Sequence, residues 1–385
     1  ALSCTGNYLE INTNPYEVNR EQTLTDGYAT AAAIAAMGGA VVSTDVNTAQ
    51  FTDCLLGGPM GGYYSTTGAF EKTIDNYNAT DDWTRVLLAS DRIIPTLYSN
   101  LSELKSITDD PVTLSIANII KVTAMLRVTD TYGPIPYSQI GQGGKITVAY
   151  DSQEKVYDTM FGELDACIKT LTDNRLSAIP STADPVYDGT AVKWCKFANS
   201  LKLRMAMRVS YVAPELAREK ASEAVASGAL IITNADNAYI HPVENKLALI
   251  YNDWNDHRAA ADIISYMNGY KDPRREKMFI KNHPSANEES ERKYAGLRIG
   301  STVSKKSAFV DGYSNMAVSS GDPLLWMNAA ETNFLLSEYE LRFTKDNAKA
   351  KEYYEQGVIL SFEERGATGA EDYLSNTTDT PELYI

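Results

Sequence analysis

Histidine and cysteine are scarce in this chain of 385 residues, which has three His and four Cys. His241, His257 and His283 are too scattered for a His-Glu-x-x-His zinc motif. Cys4, Cys54, Cys167 and Cys195 hold no Cys-x-x-Cys pair, so neither a zinc ribbon nor a redox couple is encoded. Cys167 and Cys195 fall in helical patterns and read as small buried apolar residues. No stretch of 18 residues is both apolar and free of charge, so no membrane span is expected. Positive charge is in deficit. Lys and Arg number 35 against 50 Asp and Glu, for a net charge of -15. Nucleic acid needs a basic face to neutralise its phosphates, so that class of partner is excluded. Gly-x-Ser-x-Gly is missing. The glycine cluster in "LLGGPMGGYYS" has no Gly-Lys-Ser/Thr after it and lacks G-x-G-x-x-G spacing, so it reads as a flexible loop and not as a phosphate cradle. No Asp-rich loop has the twelve-residue EF-hand pattern. No cofactor is expected, with a structural calcium left open.

Apolar residues make up 44% of the chain, enough for a sizeable core. Tyrosine is abundant, with 24 Tyr against nine Phe and four Trp. A ring with a hydroxyl suits half-wet surfaces where a polar ligand stacks, and it equally suits the edge of a helical core. The second reading is taken for most of them.

Helical periodicity dominates. Thr25 to Ala40 reads as a first helix. Asp81 to Asp130 continues helical, with Leu87, Ile94, Leu97 and Leu101 at helical spacing and Pro95 set to kink or restart it. In "DDPVTLSIANIIKVTAMLRV", Asp110 is placed as N-cap and Pro111 at the first helical position. Apolar residues then occur on almost every side, which puts this helix in the middle of a bundle. Asp151 and Glu154 have capping-box spacing ahead of a helix whose inner face is Val156, Met160, Leu164, Cys167, Ile168 and Leu171. "KWCKFANSLKLRMAMRVS" makes its partner, with Lys193, Lys196, Lys202, Arg204 and Arg208 as a solvated or acid-paired face. "PELAREKASEAVASG" is a short surface helix ended by Gly228. Residues 229–322 are mostly irregular, and a long ordered insert of this kind is usually functional. A last helix pair follows. One side carries Trp326, Ala330, Phe334 and Leu341, and the other Ala350, Tyr354 and Val358. Trp83, Trp194 and Trp326 read as core. The fold class is mainly α, a tetratricopeptide-like set of helix pairs with long loop-rich inserts, although no strict repeat period is present.

The chain opens "ALSC". A small residue, then Cys4, then a polar stretch resembles a bacterial lipoprotein cleavage site. A lipobox prefers Leu where this chain has Ala1, and an incidental cysteine is the competing reading.

Taken in order, "INTNPYEV", "RVTDTYGPIPYS", "YDSQEKVYDTMFGELDACI", "KWCKFANSLKLRMAMRVS", "GYKDPR" and "WMNAAETNFLLSEYELR" resemble the SusD/RagB family of Bacteroidetes outer-membrane lipoproteins. The resemblance runs from Cys4 to about Gly366. It implies a single SusD-like domain over residues 1–385. Residues 1–20 would be an N-terminal linker lipidated at Cys4, residues 229–322 the loop-rich insert, and a C-terminal part would continue beyond Ile385. It also implies a non-catalytic cell-surface protein of the outer membrane, held by its lipid alone. Such a protein acts as the lid of a SusC-like TonB-dependent transporter and binds an oligosaccharide, glycopeptide or peptide.

Two other classes stay in view. Tetratricopeptide-like helices also bind peptides or proteins in a groove. A glycoside hydrolase needs only two opposed carboxylates, but nothing singles out a pair. Exposed aromatics on the insert would favour a saccharide binder, whereas aromatics along a concave helical groove would favour a scaffold. A sugar site needs aromatic faces beside planar hydrogen-bonding groups. Two stretches supply that mixture. In "YNDWNDHR", Trp254 lies among Asn252, Asp256, His257 and Arg258. In "GGPMGGYYS", Tyr63 and Tyr64 follow the glycines. Packing of the insert onto the scaffold is the competing reading for Trp254, Tyr63 and Tyr64. "RVTDTYGPIPYS" itself reads as a way of leaving a helix. Gly133 takes a positive φ, Pro134 and Pro136 forbid continuation, and Tyr132 and Tyr137 pack.

Overall fold

The computed structural model describes residues 27–68, 77–78, 80–87, 92–142, 147–283, 292–302 and 305–382. Cys4, with its expected lipidation, and the "INTNPYEV" block lie outside the described residues.

The main helices are α1 (Tyr28–Gly38), α2 (Asp81–Leu87), α3 (Ile93–Ile107), α4 (Pro111–Tyr132), α5 (Gln153–Asp173), α6 (Ala191–Arg208), α7 (Pro214–Ala226), α8 (Ala261–Gly269), α9 (Ala329–Tyr339) and α10 (Asn347–Arg365). All but α2 and α8 pack as pairs: α1 with α3, α4 with α5, α6 with α7, and α9 with α10. Pro95 falls in the first turn of α3, where a missing N–H costs nothing.

α4 sits in the middle, against α1, α3, α5 and α6. Its start is fixed by the Asp110 carboxylate, which accepts from the Thr113 N–H at 2.8 Å, with Pro111 opening the helix. Among the described residues it is the one helix long and apolar enough to cross a membrane, and here neighbouring helices cover it. Lys121 is buried on it. Its ammonium pairs with Glu163 at 2.5 Å and lies 5.0 Å from the centre of the Tyr137 ring.

The corner after α4 works as expected. Gly133 has φ +75°, and its N–H closes the helix on the Thr129 carbonyl at 2.7 Å. Ile135 bridges to Asp151, and the buried Tyr137 donates its hydroxyl to Glu163 at 2.5 Å. The capping box at α5 is not as expected. Ser152 is the N-cap, its Oγ accepting from the Lys155 N–H at 3.2 Å. Asp151 is occupied elsewhere. It accepts from Ser138 N–H at 2.7 Å and Ser138 Oγ at 2.9 Å, tying the corner to the start of α5. A side chain engaged in that tether cannot also cap.

The basic face of α6 is acid-paired. Arg204 makes a bidentate contact with Glu331, both bonds 2.6 Å, Lys196 meets Asp236 at 2.7 Å, and the buried Lys202 meets Asp165 at 2.6 Å. Its other face carries Trp194 and Phe197 into an edge-to-face cluster with Tyr187 and Trp326.

Short strands supplement the helices. They are β1 (Tyr64–Thr66), β2 (Ala238–Ile240), β3 (His257–Ala259), β4 (Phe279–Ile280), β5 (Asn315–Met316) and β6 (Leu324–Met327). Among the described residues they form antiparallel pairs β1–β3, β2–β6 and β4–β5. The sequence reading that places Trp326 on the first helix of the last pair is therefore corrected. Leu324–Met327 is a strand, and α9 starts after Asn328, whose side chain accepts from the Glu331 N–H at 2.9 Å. Trp326 is buried, but from β6. Phe334, Leu341 and Tyr354 are also corrected, because they are partly exposed, Phe334 lying at the rim of the helix pair against Gly357 of α10. Thr332, Asn333 and Ser337 are buried, and Ser337 Oγ reaches α10, donating to the Ala350 carbonyl at 2.7 Å. Close approach of the two helices leaves the rings of Phe334 and Tyr354 packed on each other, 5.8 Å apart, on the outer surface.

A second, smaller core lies apart from the helix pairs. Ala49 and Cys54 meet Ile250, Tyr251, Ala259, Ile264, Met267, Phe279 and Met316 there. The glycine-rich stretch read as a loop contributes to it, since residues 46–60 are helical up to Met60.

Candidate ligand-binding site

The β1–β3 ladder brings together the two stretches singled out in the sequence. Tyr64 faces Ala259, Ser65 faces Arg258 and Thr66 faces His257. Beyond the ladder, Ala260 N–H donates to the Tyr63 carbonyl at 2.9 Å and Ile263 N–H to the Gly62 carbonyl at 3.2 Å. These bonds hold the Gly61–Tyr63 turn against the first turn of α8.

The adjacent tyrosines diverge, as alternation along a strand requires. Tyr64 turns inward. Its ring centre is 5.5 Å from that of Tyr251, and burial pushes its hydroxyl up to about 12. Gly58 makes room for that ring, because a Cβ there would stand 2.0 Å from a Tyr64 ring carbon. Tyr63 turns outward and is 49% exposed, its ring lying over Gly61.

The Trp254 stretch is mainly structural. His257 is fully buried, and desolvation drives its imidazole down to about 3, so it is neutral and beyond the reach of a surface ligand. Arg258 is 3% exposed. Its guanidinium donates to the Val310 carbonyl at 2.9 Å, the His257 carbonyl at 2.7 Å and Asn255 Oδ1 at 2.7 Å, an internal brace. Asp256 accepts from Gln50 at 2.9 Å and pairs with Lys306. Asn252 is used at both ends: its amide donates to the Val318 carbonyl at 2.9 Å, and its oxygen accepts from Asn315 at 3.1 Å. Trp254 is half-buried against the second core, and its carbonyl accepts from Lys306. For His257 and Arg258 burial overturns direct ligand contact, because desolvated groups held by internal partners are not offered to solvent.

The open surface lies beside α8. Asp262 packs against Gly62, and with Met60, Tyr77, Arg298 and Ile299 it lines a cleft of about 610 Å³. One turn along the same face, Tyr266 is 57% exposed and stacks on Tyr270, ring centres 6.2 Å apart at 24°. Exposed rings thus stand beside a carboxylate and a guanidinium, the combination that stacks a pyranose and bonds its hydroxyls. Among the described residues, no group of three or more His, Cys, Asp or Glu side chains is placed to hold a metal ion.

A profile of the SusD-like family, SusD and RagB outer membrane lipoprotein, matches residues 10–385. The chain belongs to the SusD/RagB family. That places it among outer-membrane lipoproteins. Solved SusD-like structures agree across the fold. A SusD homologue from Bacteroides uniformis is 50% identical with a TM-score of 0.88, over 94% of this chain and 76% of that one. One from Bacteroides thetaiotaomicron is 39% identical with a TM-score of 0.84, over 92% and 73%. A chitin-binding SusD homologue from Flavobacterium johnsoniae is 33% identical with a TM-score of 0.84, over 92% and 75%. No curated protein matches the chain.

Within this SusD-like chain, sequence reasoning named Tyr63 but missed Asp262, Tyr266, Tyr77 and Arg298. One signal was available. "ADIISYMNGY" repeats Tyr at positions four apart, which puts both rings on one helix face.

Proposed function

We propose that this SusD-like protein is a non-catalytic, cell-surface glycan-binding lipoprotein, anchored through Cys4, that delivers an oligosaccharide to a SusC-like TonB-dependent transporter. The observation that carries the reading is the face formed by Tyr63, Asp262 and Tyr266, with Tyr77 and Arg298 lining the adjoining cleft. It belongs to the loop-rich side, where a saccharide binder was expected to expose its aromatics. Chitin binding by the Flavobacterium homologue supports the ligand class. The scaffold also exposes Tyr211 and Val212 at the α6–α7 corner, with the Arg342 guanidinium 4.1 Å from the centre of the Tyr211 ring. We assign that corner to contact with the transporter.

The test is titration of a glycan and peptide panel against wild type, Tyr63→Ala, Tyr266→Ala and Trp254→Ala. Loss of affinity in the two tyrosine variants, with Trp254→Ala retaining it, supports the site. Unchanged affinity in both tyrosine variants sinks it, and a ligand set made only of peptides sinks the glycan reading.

A further inference from the structure

α8 has a second open face. Ser265 and Asn268 on it line a further cleft of about 650 Å³, whose other walls include Arg275, Lys281, Lys293 and Tyr294. The protein carries a net charge of -15, yet this cleft gathers the cations Arg275, Lys281, Arg292 and Lys293 against the carboxylates of Glu276 and Glu382.

Several buried or half-buried cations elsewhere are matched by acids at hydrogen-bond distance: Arg204 by Glu331, Lys202 by Asp165, Lys196 by Asp236, Arg127 by Asp53 at 2.8 Å. Here they are not. Arg275 donates to the neutral Asn268 oxygen at 2.9 Å, its Nε is buried without an acceptor, and Glu276, on an exposed side chain, stands 4.0 Å away. Glu382 is engaged by the Asn268 amide at 2.7 Å. Among the described residues, Lys281 and Lys293 have no carboxylate partner. The Tyr294 ring holds two of these cations, with Arg275 4.4 Å and Lys281 5.8 Å from its centre. A neutral sugar placed here would leave Arg275, Lys281 and Lys293 without a charged partner at hydrogen-bond distance, whereas a carboxylate or sulfate on the sugar would supply one.

We propose that this cleft is a subsite for an acidic sugar, one bearing a carboxylate or a sulfate, within the bound oligosaccharide. The proposal rests on the glycan-binding reading above, and places the acid-reading contacts on Arg275, Lys281 and Lys293.

Calorimetric titration with three probes tests it: an oligogalacturonate (carboxylate only), a κ-carrageenan oligosaccharide (sulfate only) and a chito-oligosaccharide (neutral), at about 50 and about 300 mM salt. The expected result is that one acidic probe binds at least about tenfold more tightly than the neutral one and weakens with salt. K281Q/K293Q, both exposed positions, should then lose about tenfold in affinity for that probe at unchanged melting temperature. The charge-matched control K155Q/K169Q on α5 should lose none. If the double variant melts early, Lys281→Gln alone carries the comparison. Neutral probe bound as tightly, with no effect of K281Q/K293Q, overturns the acidic subsite while the glycan reading stands. Binding of none of the three probes also overturns it, and the wider panel with Tyr63→Ala then decides the glycan reading separately.

Discussion

The ammonium of Lys306 pairs with the carboxylate of Asp256, and the other oxygen of that carboxylate accepts from Gln50 at 2.9 Å. One acidic side chain thus ties together residues that lie 206 apart in sequence. Lys306 also donates to the Trp254 carbonyl, so the turn around Trp254 is held at its backbone as well. Asp256→Ala would strand the Gln50 amide and the Lys306 ammonium together. The expected loss is about 1–3 kcal/mol of stability, read by chemical denaturation, with glycan affinity unchanged. An affinity loss larger than the stability loss explains would return Asp256 to the binding site.

Tyr63 and Tyr266 are exposed rings whose removal leaves no cavity in either core. Each alanine variant should therefore melt with wild type and bind more weakly. Stacking of about 0.5–1.5 kcal/mol beyond area burial, together with lost apolar contact, corresponds to roughly tenfold per ring. Titration of both single variants and the double variant checks this. If the double variant loses no more than either single, the two rings do not contact one ligand.

His257 should make stability depend on acid. Its imidazole has an ordinary value near 6.5 in the unfolded chain and about 3 in the native state, because desolvation outweighs the attraction of Asp256; Lys306 and Arg258 oppose protonation further. Between these values the unfolded chain binds the extra proton. Stability from this group is therefore present above about 6.5 and falls as pH drops towards 3, by up to about 1.4 kcal/mol per pH unit. His257→Leu removes the titration. The gap in unfolding free energy between wild type and variant should narrow on acidification over that window. Parallel pH curves would show that His257 does not titrate on unfolding.

The helix pairs were readable because their signals are local. Asp110 with Pro111, the all-round apolar pattern of α4 and Gly133 each act over a few residues. The misreadings share a physical origin in long-range partners. Leu324–Met327 has no local reason to be extended, and becomes a strand by pairing with Ala238–Ile240, more than eighty residues earlier. Asp151 had the spacing of a cap but was claimed by Ser138. The candidate site was half legible for the same reason. Composition drew attention to the stretches around Tyr63 and Trp254, which pair as β1 and β3. Composition does not say which side chains face water, and in "YNDWNDHR" the polar groups are largely consumed by Val310, Val318, Asn315, Gln50 and Lys306.

Gly58 ties the second core to the site. A Cβ at this position would lie 2.0 Å from one Tyr64 ring carbon, 2.8 Å from the next and 2.9 Å from the Asp53 carbonyl. Neither neighbour yields easily. The Tyr64 ring is seated against Tyr251, and the carbonyl belongs to a helical turn. Gly58→Ala should therefore cost about 1–3 kcal/mol through overpacking. The effect should also reach the ligand. Tyr63 N–H donates to the Gly58 carbonyl at 2.8 Å, and Tyr63 precedes the displaced ring directly. Weaker glycan binding is expected from Gly58→Ala although residue 58 itself is buried. Tyr64→Leu would remove most of the clash, so the double variant G58A/Y64L should recover affinity relative to G58A if displacement of Tyr63 is the cause. A double variant that binds no better than G58A would place the defect in the helical turn and not in the ring.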